Sequence, residues 1–81
     1  MLMYSAAQDI TTETVHFYIG EQIDVFKVEH SNVSLCDRAK INDSQFIPGL
    51  IGLKIETLFS KIKSKRCVKC KFCMEILKEY S

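Results

Sequence analysis

The hydrophobic residues change their period once along this chain, at "NDSQFIPG", residues 42–49. Before that point apolar side chains recur at every second position, the spacing of a strand with one buried face. After it they recur at three- and four-residue steps, the spacing of a helix face. Asn, Asp and Ser form turns, and Pro48 suits the first turn of a helix. The switch predicts an α+β fold: a small antiparallel sheet of three or four strands, packed by a C-terminal helical half. The 81 residues suit one domain that buries roughly 60–65% of its unfolded surface. It divides into a β-rich part at about residues 1–43 and a helical part at about 48–81.

In "VHFYI" (15–19), Val15, Phe17 and Ile19 alternate with His16 and Tyr18, which predicts a strand. Gly20-Glu21 then reads as a tight turn, and "QIDVFKVEH" (22–30) as a second strand whose alternation slips between Val25 and Phe26, the mark of either a bulge or a strand covered on both faces. After the turn signal Ser31-Asn32, residues 33–41 place Val33, Leu35, Asp37, Ala39 and Ile41 on one side, which predicts a third, short or edge strand. The opening "MLMYSAAQDITTET" reads equally as a strand, a short helix or an arm over the sheet.

In the second half, Ile55, Phe59, Ile62, Arg66, Cys70, Cys73, Leu77 and Tyr80 form one long stripe, interrupted only by Arg66. The stripe predicts either one helix of about 30 residues or two helices broken near residues 64–67. A single helix of that length would run about 45 Å, beyond a compact domain whose radius of gyration is about 12 Å. Its overhang would need a partner. A seam of Ile55, Phe59, Ile62, Cys73, Leu77 and Tyr80 is therefore expected to meet a protein partner or a second copy. The corresponding function is a non-catalytic interaction or regulatory protein, acting as a homodimer. Arg66, in mid-stripe, calls for a helix break or a neighbouring carboxylate, because buried arginine is rarely unpaired.

The stretch "KSKRCVKCKFCMEIL" (63–77) holds three of the four cysteines. "CVKCKFC" is an overlapping pair of C-x2-C hooks, and one such hook wraps two thiolates around a zinc ion. A closed site needs a fourth ligand, which Cys36, His30 or His16 would supply. The candidate set is Cys36, Cys67, Cys70 and Cys73, with zinc as cofactor; the competing reading has no cofactor and treats Cys70 and Cys73 as small core residues of a helix. A redox pair fits poorly, since a helical pattern precedes the motif. The bacterial iron–sulfur run is also incomplete, lacking its fourth cysteine and following proline.

Charge is distributed unevenly. Residues 1–53 carry three basic and seven acidic side chains, a net of −4, whereas residues 54–81 carry eight and three, a net of +5. Lys61, Lys63, Lys65, Arg66, Lys69 and Lys71 lie within eleven residues. They are either a solvated face or a salt-dependent contact to nucleic acid. The alternative function is thus a zinc-stapled nucleic-acid-binding module. Phe72 is the only aromatic within the basic run, so no stacking platform is evident. The apolar face joined to lysines at residues 46–65 also admits a membrane-surface role.

His16 and His30 fall on expected strands, no serine–histidine–carboxylate spacing suggests a triad, and "PGLIG" is not followed by the lysine of a phosphate loop. An enzyme is not expected. No run approaches the 18 or so apolar residues of a transmembrane helix. The N-terminus has neither a basic start nor a long apolar centre. The expected location is intracellular, cytoplasmic or nuclear, where thiols stay reduced.

Overall fold

A computed structural model describes residues 2–25 and 27–80. Four antiparallel strands, β1 (Leu2–Asp9), β2 (Val15–Asp24), β3 (Lys27–His30) and β4 (Ser44–Phe46), form a curled sheet in the order β3-β2-β1-β4. Two helices, α1 (Ile55–Lys63) and α2 (Lys71–Glu79), complete the α+β fold. No helix among the described residues is long and apolar enough to cross a membrane.

The ambiguous N-terminus is the inner strand β1. It pairs with β2 from Leu2↔Glu21 to Gln8↔Val15 and with β4 from Ala7↔Phe46 to Asp9↔Ser44. Ser5, Ala6 and Ala7 are fully buried, small side chains that let covering segments approach on both faces. Residues 47–53 continue β4's course along β1: the Ile47 N–H donates to the Ala6 carbonyl, Ala6 N–H to Leu50, and Tyr4 and Leu53 exchange two bonds. Gly49 and Gly52, at φ 83° and 63°, give this segment its left-handed bends. The β1–β2 connection is stabilised by Asp9, whose carboxylate accepts from the N–H groups of Thr11 and Thr12 at 2.8 and 2.9 Å.

Two strand expectations are corrected. Gly20 is not a turn: β2 runs through it to Asp24. A Cβ there would stand 2.5 Å from the Glu29 carbonyl oxygen, so glycine serves the close approach of β3. The reversal comes after Asp24, and a register irregularity falls between Gln22 and Asp24. The slip expected between Val25 and Phe26 lies partly outside the described residues. The third strand expected at 33–41 does not form. Instead the chain folds back on itself, with the single bridge Val33↔Lys40. Asp37 is left-handed at φ 61°, and Ser34 Oγ accepts the Ala39 N–H at 3.2 Å. Local side-chain hydrogen bonds of this kind compete with a sheet ladder.

The long stripe resolves into two nine-residue helices separated by residues 64–70. Arg66 is exposed within that break, so the stripe's odd residue marks where helix stops. The molecule measures 32 × 25 × 22 Å with a radius of gyration of 11.4 Å. No 45 Å helix overhangs it, and the geometric premise for an unpartnered seam is removed. Ile55, Ile62, Cys73 and Leu77 are buried in the chain's own core with Tyr4, Ala6, Val15, Phe17, Leu50 and Leu58; Phe59 packs at its edge. Tyr80 is half exposed, its ring 6.0 Å from that of Tyr4.

Candidate metal centre

The edge of β2 facing away from β1 positions the site. The Cys70 N–H donates to the Val15 carbonyl at 2.7 Å, and the Val15 N–H donates to Val68 at 2.7 Å. The Leu35 N–H donates to the Phe17 carbonyl at 2.9 Å. These bonds dock the two cysteine-bearing segments on either side of His16. Cys36 follows Leu35 near the tip of the folded-back loop. Cys70 is the N-cap residue of α2 and Cys73 lies in its first turn.

The result is a four-residue cluster. His16, Cys36, Cys70 and Cys73 each offer a ligand atom, and all four atoms lie within 4.8 Å of one another. Cys36 Sγ is 3.4 Å and Cys73 Sγ 3.6 Å from His16 Nδ1. Cys70 Sγ is 3.7 Å from Cys36 Sγ. A zinc ion about 2.3 Å from sulfur and about 2.0–2.1 Å from imidazole nitrogen implies tetrahedron edges of about 3.8 Å between sulfurs and about 3.6 Å between sulfur and nitrogen. The three distances fit those edges, and the remaining pairs lie within 4.8 Å. Three soft thiolates and one imidazole are a donor set for zinc rather than for magnesium or calcium.

Protonation follows from burial. Burial pushes the Cys73 thiol up to about 12, against hydrogen bonds from the backbone N–H groups of Phe17 and Cys36. Burial also pushes the Cys36 thiol up, but hydrogen bonds from Ser34, the Arg38 N–H and the Cys73 and Cys70 thiols outweigh it and leave Cys36 below its ordinary value. Burial depresses the His16 imidazole, opposed by the Asp9 carboxylate; neutral imidazole is the ligating form. A thiol as reluctant to ionise as Cys73 would become thiolate when a divalent cation displaces its proton.

The structure brings together three of the four cysteines named from sequence and puts His16 in the fourth position. Cys67 stands apart, its Sγ 4.0 Å from the Lys65 carbonyl oxygen. His30 is engaged elsewhere, with Nε2 2.6 Å from Ser5 Oγ. Of the basic run, Lys69 is partly buried and Lys61, Lys63, Lys65, Arg66 and Lys71 are exposed. Among the described residues none of the six forms an ion pair; Lys61 Nζ reaches only the Gly49 carbonyl, at 3.5 Å. Sequence reasoning missed Arg38, whose guanidinium carbon lies 4.0 Å above the Phe72 ring. That contact adds a cation from the acidic half to the rim of the cluster, and no local signal announces it.

No family model, no curated protein and no solved structure matches this chain.

Proposed function

We propose that this protein is a small zinc-stapled binding module whose basic segment contacts nucleic acid. The observation that carries the reading is the His16/Cys36/Cys70/Cys73 cluster, whose ligand atoms lie within 4.8 Å of one another, three of the separations matching the edges of a zinc tetrahedron. One zinc ion there would join β2, the 33–40 loop and α2, tying the sheet to the C-terminal helix by coordination rather than by a large apolar contact. The four positions are filled by protein, which is the arrangement of a structural site rather than a catalytic one. Supporting the second part of the reading, the cations of residues 61–71 lie in and beside the inter-helix break without carboxylate partners among the described residues. A polyanion would find them available, and each phosphate neutralised adds a salt-dependent increment.

Native mass spectrometry under reducing conditions tests the metal. One zinc per chain is expected in the wild type and none in Cys73→Ser; a folded, metal-free wild type with reduced thiols would reject the site. Joint neutralisation of Lys65, Arg66 and Lys69 should abolish oligonucleotide binding, and absence of wild-type binding at low salt would remove that function.

A further inference from the structure

A second feature shares no side chain with the metal cluster. The break between the helices lies over a cavity of about 410 Å³, lined by Gln8, Val15, Ile47, Lys65, Arg66 and Cys67. Its construction is fixed by backbone. Gln8 pairs with Val15 at the end of the β1–β2 ladder. Ile47 is held beside β1 by its N–H bond to Ala6, and the break is anchored by the Val15 N–H bond to Val68. The volume lies within the range of about 300–1,000 Å³ typical of small-molecule sites.

The lining is chemically one-sided. Two basic residues adjacent in sequence, Lys65 and Arg66, line the cavity, with no carboxylate-bearing residue among the lining. Neither is ion-paired among the described residues. The Gln8 amide uses one N–H on the Glu13 carbonyl at 2.9 Å, leaving its other N–H to donate. Val15 and Ile47 supply an apolar wall. A concave surface lined by charge of one sign concentrates ligands of the other. Arginine's planar fork matches phosphate oxygens, and lysine adds a mobile point charge.

We propose that this cavity binds a small organic phosphate monoester. Its dianion is balanced by Lys65 and Arg66, and its organic part rests against Val15 and Ile47. Inorganic phosphate alone would leave most of the volume unfilled. None of the lining residues is a ligand of the proposed zinc site, so the cavity does not depend on the metal.

Cys67 reports occupancy, because it lines the cavity and lies outside the metal cluster. The full chain is treated with iodoacetamide, and peptide mapping reads alkylation at Cys67 specifically. Adenosine 5′-monophosphate at millimolar concentration is expected to slow that alkylation and to bind by calorimetry. Inorganic phosphate should protect more weakly and adenosine not at all. Arg66→Ala should weaken binding about tenfold, the scale of one lost charged hydrogen bond, and Lys65→Ala by less. Lys54→Ala, at the far end of α1, should leave it unchanged. Absence of protection by the monophosphate overturns the proposal. So does equal protection by adenosine or an equal loss in Lys54→Ala. Zinc content, read from the same samples by mass spectrometry, separates these outcomes from failure of the metal site.

Discussion

α1 and α2 are both nine residues long and both amphipathic, yet they are held by different chemistry. α1 buries Ile55, Leu58 and Ile62, with Phe59 packed at the core's edge. Each buried aliphatic side chain of that size contributes about 1.5–3 kcal/mol. α2 buries only Cys73 and Leu77 within its span, and Cys70 at its N-cap. A cysteine offers little apolar area, so without metal α2 is anchored mainly by Leu77, by partly buried Met74 and by the backbone bonds of residues 68–70 to Val15. Equal helical amphipathicity therefore does not imply equal anchoring. In α2 thiols take positions that aliphatic residues fill in α1, so a metal bound at the proposed site would strengthen its docking.

Zinc removal is the strongest way to break this contrast. Chelation, or Cys73→Ser, should cost several kcal/mol, more than any single core truncation, because coordination energy is folding energy. Amide exchange should show α2 and the 33–40 loop losing protection before α1. Equal protection of α2 with and without metal would show that the thiols are ordinary core residues. Next in size is Leu58→Ala, expected to cost about 2–5 kcal/mol by denaturant titration, and to cost the same in zinc-loaded and chelated protein. A penalty that changes with metal would mean that the helices are not separately anchored.

A smaller effect tests the sheet against both helices. Burial holds His30 below its ordinary value of 6.5, beside Ser5 Oγ and 4.9 Å from the Phe46 ring. The unfolded chain then binds the proton more readily, so this contribution to stability is present above pH 6.5 and is lost as pH falls through the lower folded value. His30→Gln should flatten the acid limb of the stability–pH profile; an unchanged limb would place the titration elsewhere. Smallest is the contact of Arg38 with Phe72. Phe72→Ala should cost about 0.5–1 kcal/mol in thermal melts while leaving zinc stoichiometry at one, which separates the rim of the cluster from its ligands.

Several features were legible in the chain itself, for local reasons. The period switch near Pro48 announced helices after a sheet, because periodicity records which face is buried, but Pro48 does not open a helix: residues 47–53 still run along β1 and α1 begins at Ile55. Arg66 narrowed the choice to a helix break or a neighbouring carboxylate, because a buried charge in an apolar stripe needs one or the other, and the fold took the break. Local rules failed where distant backbone decided the outcome. Gly20 reads as a turn until β3 is placed against it. The 33–41 alternation reads as a strand until Ser34 and Asp37 are seen folding the loop back.

The candidate metal centre divides in the same way. Sequence alone determined that thiols were concentrated at residues 67–73, that the chain's basic charge lay around them and that a ligand from the β half was needed to close a site. Tertiary structure decided which atoms meet. It selected His16, 57 residues from Cys73, and left Cys67 beside a different cavity. A C-x2-C spacing constrains only how two neighbouring thiols can turn inward. The remaining ligands depend on which strand edge the break between the helices pairs with, and the backbone bonds of Val15 to Val68 and Cys70 settle that.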